Sequence, residues 1–141
     1  IGKNLETGKP WEIGILDPNS DYANQFFIAN VSLRDQSFTT SGNYFNYRIV
    51  NGQKFSHTID PATGFPVEHN LLSASVFAQD GATADAWATA LVVLGPEEGM
   101  ALARRLDLAA LLKSYGTASG RFKVTGSLKD AWLPGFAPSG G

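Results

Sequence analysis

Apolar residues recur along this chain with two different periods, and the change between them divides it into parts. Before Asp80 the rhythm is short. Trp11-Glu12-Ile13-Gly14-Ile15-Leu16 alternates as a half-buried strand does, and Asp17-Pro18-Asn19-Ser20 stops it. Phe26 to Leu33, rich in aromatic and branched residues, predicts a second strand. Ser37-Phe38-Thr39-Thr40 predicts a third, closing at Ser41-Gly42-Asn43. Tyr44 to Val50 and Lys54 to Ile59 flank Asn51-Gly52, the strongest short-range hairpin signal present. Leu72 to Ala78 predicts a further strand. Beyond Asp80-Gly81 the period lengthens: Ala84, Trp87, Ala88, Leu91 and Leu94 or Gly95 follow i, i+3, i+4, i+7 spacing, the mark of an amphipathic helix. Asp80 or Thr83 caps its start and Gly95-Pro96 ends it. Pro96-Glu97-Glu98 opens a second helix running to about Leu106, acidic at its start and basic at Arg104-Arg105, as the helix dipole favours. Leu108 to Tyr115, Arg121 to Thr125 and Leu128 to Leu133 return to strand. Strands, two consecutive helices, then strands predict an α+β fold with a mixed, largely antiparallel sheet.

Composition narrows this picture without redirecting it. The 141 residues suffice for one domain with a real core. With 43% hydrophobic and 17% charged residues the chain is of globular type. We assign residues 1–134 to the domain and the Pro/Ser/Gly-rich residues 135–141 to a flexible tail; no internal repeat or linker interrupts it. Trp11, Trp87 and Trp132 each sit in a strand or helix stripe and are expected in the core. The net charge of −2, with no Lys/Arg cluster, disfavours a nucleic-acid partner. The absence of cysteine excludes disulfides, thiolate metal sites and a Cys nucleophile. The opening Ile1-Gly2-Lys3 reads as the interior of something longer, so an excised or processed piece is expected.

The candidate chemistry gathers around Lys54 to Pro66, KFSHTIDPATGFP. A strand ending at Asp60-Pro61 would deliver His57 and a carboxylate to its carboxyl end, because Pro61 has no N–H with which to continue a ladder. Gly64 admits a positive φ or a close backbone approach to a ligand. His57 on an alternating strand is equally consistent with an outward side chain that has no task. His69, in the loop Glu68-His69-Asn70, reads as solvated surface. Asp85 and Thr89 stand four apart on the predicted helix, about 40° apart at ~100° per residue, so their oxygens share a face. Two hard oxygen donors suit Mg²⁺, which takes few protein ligands and completes its shell with water and phosphate. The spacing fits a plainer account as well: Asp85 serves the helix dipole and Thr89 fills a packed position.

Taken in order, WEIGILDP (11–18), SGNY (41–44), HTIDPATGFP (57–66) and TADAWATALVVLG (83–95) resemble the carboxyl-terminal half of ApbE-type FAD:protein FMN transferases, whose usual forms are SGxY, HIIDPxTG and ADxxATALxxLG. The resemblance runs from about Gly2 to Leu133. Two departures stand out: Thr58 replaces the family's second apolar residue, and Asn43 stands where an acidic residue is frequent. The resemblance implies an ApbE-like, T-fold-related domain that binds FAD with Mg²⁺. A Thr or Ser hydroxyl of an acceptor flavoprotein, such as a subunit of a membrane redox complex, attacks the pyrophosphate; FMN is attached through a phosphoester and AMP is released. It implies Asp85 and Thr89 as metal ligands, Ile59 at the flavin, Asp60, Thr63 and Gly64 in the loop beside the nucleotide, and Ser41 and Gly42 close by. His57 is suited to take the proton of the acceptor hydroxyl. The family's amino-terminal half supplies much of the flavin pocket and a further metal ligand. It has no counterpart in these residues, so a missing half or a second chain is expected to complete the site. An FAD pyrophosphatase and a non-catalytic flavin-binding fragment are the alternative readings. Many bacterial members are exported lipoproteins, which implies a periplasmic, membrane-anchored setting whose signal lies outside this stretch, with a cytoplasmic one as the alternative.

Overall fold

A four-stranded antiparallel sheet forms the middle layer of the computed structural model, which describes residues 4–20, 26–44 and 46–116 together with the backbone of 123–125. In chain order the elements are β1 (Trp11–Leu16), β2 (Phe27–Leu33), β3 (Ser37–Gly42), β4 (Tyr47–Val50), β5 (Gln53–Ser56), β6 (Leu71–Ala78), α1 (Gly81–Arg105), β7 (Ala109–Ser114) and β8 (Lys123–Thr125). The middle sheet runs β3-β6-β7-β8, and β1-β2 and β4-β5 are separate two-stranded ladders. Every strand pair among the described residues is antiparallel. The expected strand at 128–133, Trp132 and the tail at 135–141 lie outside the described residues.

Side-chain alternation makes the sheet two-faced. On one face Leu71, Ala74, Val76, Ala110 and Leu112 meet Ala88, Leu91, Val92, Met100 and Ala103 of α1. On the other, Phe77 and Leu111 meet Ile15 of β1 and Ile28, Ala29, Val31 and Leu33 of β2. Adjacent residues such as Val76 and Phe77 therefore serve opposite cores, as the period of two requires. The result is helix, sheet and hairpin in three layers, within the α+β class that the pattern predicts.

The two expected helices are one 25-residue element broken at Gly95, whose backbone is non-helical (φ 80°, ψ −174°). Only glycine takes that conformation at little cost. Pro96 begins the second half and has no N–H, so the carbonyl of Val92, four residues earlier, lacks its helical donor. His69 supplies one: its Nε2 lies 2.6 Å from the Val92 oxygen. This corrects the reading of His69 as solvated surface, since the ring is half-buried against the break. A carbonyl only accepts and an amide only donates. The Nε2 must therefore carry the proton, while Nδ1 receives the Leu71 N–H at 3.2 Å.

Two further expectations fail. Trp11 is 41% exposed and is not a core residue, whereas Trp87 packs half-buried against the helix–sheet core. The strand expected over Lys54 to Ile59 ends at Ser56, so His57 lies beyond it. There the Ser56 hydroxyl captures the Thr58 N–H. The hairpin turn behaves as predicted, with positive φ at both Asn51 (51°) and Gly52 (79°). No helix among the described residues is long and apolar enough to cross a membrane.

Candidate active site

The cleft between β3, the first half of α1 and the segment after β5 has a volume of about 300 Å³; Ser41, Gly42, Tyr44, His57, Thr58 and Thr89 are among its lining residues. Four residues singled out from the sequence thus converge: Ser41, Gly42, His57 and Thr89. β3 pairs with β6 through Ser41↔Ala74 and Gly42↔Ser73, which places both residues at the carboxyl end of β3. Gly42 is required by close approach. A Cβ there would stand 2.5 Å from Tyr44 Cε1 and 2.8 Å from the backbone oxygen of Leu72. Tyr44, half-buried beside it, has its phenol pKa pushed above the ordinary 10.0 by burial, so it is a neutral hydroxyl at working pH.

Thr89 is exposed on the helix and its Oγ1 lies 3.1 Å from Ser41 Oγ, joining α1 to β3 at the cleft floor. It does not fill a packed position. Asp85 is exposed one turn earlier. The helix start is served by Asp80, whose Oδ1 accepts the Thr83 N–H at 2.8 Å and whose Oδ2 accepts the Thr83 hydroxyl at 2.7 Å. No acidic residue lies in the first turn, so Asp85 has no capping duty either. The plainer accounts of this pair lose their support. A carboxylate and a hydroxyl on one exposed helical face form a donor set that fits a hard divalent cation. Among the described residues no group of three His, Asp or Glu could hold a metal by itself, so this pair provides part of a coordination shell.

His57 is exposed, and its Nδ1 lies 2.8 Å from the carbonyl oxygen of Asn46. That oxygen only accepts, so Nδ1 carries a proton, and in the neutral ring Nε2 is the acceptor nitrogen. The backbone carbonyl holds the imidazole in the tautomer that a base requires. No residue-type pattern could have revealed this partner, because a main-chain oxygen provides it.

The loop at 59–66 is well made but faces elsewhere. Ile59 bridges Pro66, Asp60 N–H donates to Phe65 O at 2.9 Å, and Gly64 N–H donates to Asp60 O at 2.8 Å. Asp60 Oδ1 accepts the Ala62 N–H and Thr63 Oγ1 the Phe65 N–H, so both side chains support their own turn. Gly64 takes the expected positive φ, 74°. Asp60 and Thr63 line a second hollow of about 380 Å³, with Phe65, Glu68 and His69. Ile59 is 49% exposed. These four residues are therefore not gathered with His57 in the first cleft. Sequence reasoning left out Tyr44, although it lies inside the SGNY motif, and gave Asn43 no role.

Similarity to known proteins points the same way as the cleft. The model of the ApbE family matches residues 1–112. The FAD:protein FMN transferase of Escherichia coli (strain K12) is 44% identical over 111 residues, covering 79% of this chain and 31% of the relative. That of Haemophilus influenzae is 40% identical over 111 residues, covering 79% and 32%. The solved structure of Pseudomonas stutzeri flavinyl transferase ApbE in its apo form superposes with a TM-score of 0.73 at 35% identity, over 93% of this chain and 39% of that one. The ApbE protein of Thermotoga maritima gives 0.78 at 29% identity, over 94% and 41%. The chain spans about a third of the length of the curated relatives it matches.

Proposed function

The chain belongs to the ApbE family, and from that premise we propose that it forms the part of an FAD:protein FMN transferase that holds the pyrophosphate of FAD and activates the acceptor hydroxyl. The observation that carries this reading is the joining of His57, Ser41, Gly42 and Thr89 in one cleft, with His57 held as the Nδ1–H tautomer. Relatives named FAD:protein FMN transferase share 40–44% identity with it, which supports FAD as substrate and a flavoprotein as acceptor.

In this mechanism the free Nε2 of His57 takes the proton from a Thr or Ser hydroxyl of the acceptor. The hydroxyl oxygen bonds to the phosphorus of the FMN half, the bond from that phosphorus to the bridging oxygen breaks, and AMP leaves with that oxygen. Positioning and charge neutralisation dominate such phosphoryl chemistry, and a general base contributes about 10²–10⁴-fold. Asp85 and Thr89 would hold Mg²⁺, which when bound neutralises pyrophosphate charge and orients it. Ser41 and Gly42 set the cleft floor, and Ile59 with the Asp60–Gly64 turn borders the flavin. The remaining ligands of the full site come from outside these residues. By family resemblance, the setting is the bacterial periplasm with a membrane-anchored enzyme.

Mass spectrometry of a candidate acceptor after incubation with FAD and Mg²⁺ tests the reading. An FMN-sized addition, lost in His57→Ala, is the expected result. Free FMN with an unmodified acceptor would make the protein an FAD pyrophosphatase. Flavin fluorescence titrated with and without Mg²⁺ is expected to show metal-dependent binding that Asp85→Ala abolishes; no binding at all would leave a non-catalytic fragment.

A further inference from the structure

The two positions at which this sequence departs from its family's usual motifs touch each other. Thr58 Oγ1 donates to Asn43 Oδ1 at 2.8 Å, and Ser56 Oγ donates to the same oxygen at 2.7 Å. Thr58 N–H donates in turn to Ser56 Oγ at 3.0 Å. The ring closes around residue 57: both flanking hydroxyls end on one amide oxygen, and the intervening backbone is tied to one of them. Asn43 is fixed from behind, its N–H donating to Leu72 O of β6 at 2.9 Å. Three residues further on, Asn46 offers the carbonyl that holds His57 Nδ1. Asn43 and Asn46 thus hold 56–58 at both ends, and β6 anchors Asn43.

We propose that Asn43 is a positioning residue for His57: its side-chain oxygen gathers the Ser56 and Thr58 hydroxyls so that the imidazole meets the Asn46 carbonyl through Nδ1 and leaves Nε2 free. The catalytic meaning of this role rests on the proposed function; the positioning itself does not. A side chain here needs an acceptor able to serve two donors at once, which an Asn oxygen or a carboxylate provides and an aliphatic residue does not. With an apolar residue at 58 only one hydroxyl would arrive. The Asn43–Thr58 pair adds a second bond in this chain.

The chain contains two histidines, and the structure holds them in opposite tautomers: Nδ1–H at His57, Nε2–H at His69. Long-range ¹⁵N–¹H correlation spectra of the imidazoles at neutral pH, recorded on the chain as it stands, therefore carry an internal control. In Asn43→Ala the His57 Nδ1–H signature is expected to be lost in favour of a mixture, while the His69 pattern stays. Asn43→Asp, which keeps a two-donor acceptor, is expected to restore His57. Should Asn43→Ala also disturb His69 and thus the fold, the Ser56→Ala/Thr58→Val variant removes the donors and leaves Asn43 in place, with the same loss expected at His57. An unchanged His57 tautomer in Asn43→Ala, or in the double variant, overturns the proposal. So does equal loss in Asn43→Ala and Asn43→Asp. An intact signature without FMN transfer would sink the proposed function and leave the positioning role standing.

Discussion

At the scale of single residues the cleft is fixed by partners that side-chain identity does not reveal. His57 owes its tautomer to a backbone oxygen, and Thr89 owes its place to a hydroxyl on another element. Gly42 shows how little slack remains. The added Cβ of Gly42→Ala would meet the Tyr44 ring and the Leu72 carbonyl, and the latter, as strand backbone, cannot easily move aside. Overpacking of this kind costs about 1–3 kcal/mol. We expect Gly42→Ala to lower the urea midpoint by a corresponding amount with an unchanged slope. An alanine variant as stable as the parent would mean that the Gly42–Leu72 approach is looser than the structure has it. The sequence marked Gly42 through its motif, but the physical reason lies in Leu72, some thirty residues away and invisible to local pattern.

At the scale of elements, legibility follows how local the determinants are. The breaks at Asp17-Pro18, Asn51-Gly52 and Gly95-Pro96 rest on φ restrictions and missing donors, and each appears where the sequence puts it. The end of β5 does not, because Ser56 and Thr58 spend their hydrogen bonds on Asn43, a tertiary contact. His69 is the clearest case: nothing in Glu68-His69-Asn70 announces that its ring replaces the donor Pro96 lacks. Removing it in His69→Ala leaves the Val92 carbonyl unpaired beside the core, at a cost of about 1–3 kcal/mol. His69→Gln, whose amide donates from a similar reach, is expected to recover part of that loss. Equal melting of both variants and the parent would remove the role. The other end of α1 gives a pH prediction. The Thr83 N–H and hydroxyl hold the Asp80 carboxyl below its ordinary 3.8. A depressed acid stabilises the fold above its unfolded pKa, and that contribution disappears as pH falls through the folded value. Asp80→Ala is therefore expected to be the less stable protein at neutral pH and to lose that difference in strong acid, as followed by far-UV circular dichroism. A difference that persists unchanged in acid would rule out the charged cap as its source.

At the scale of the whole molecule, three layers must stay in register for β3, α1 and the segment after β5 to share a cleft. The α+β class could be read from the change of period, since one face of each element is apolar. The pairing of layers could not, and its least legible member is Lys113, fully buried in β7 on the face that carries Leu111 toward the β1–β2 hairpin. Burial pushes its pKa below the ordinary 10.5, and the charge of Asp17, buried just after β1, pulls the other way. Asp17 is itself held by the Asn19 backbone N–H at 2.9 Å and its amide at 3.0 Å. Removing a carboxylate that offsets a buried ammonium destabilises the fold, by at most about 3–5 kcal/mol, whereas replacing both groups costs less. Asp17→Asn is expected to show that loss at pH 7. The sign of its pH dependence follows from Lys113: without Asp17 the folded-state pKa drops further, so between that value and 10.5 the unfolded chain holds more protons, and stability rises with pH. Denaturant unfolding should thus find Asp17→Asn regaining stability as pH climbs toward 10. Asp17→Asn/Lys113→Met should lose less at pH 7 and show no such rise. A deficit in the single variant that is flat with pH would mean that the hairpin is held to the sheet by packing alone and that the pair contributes nothing to their register.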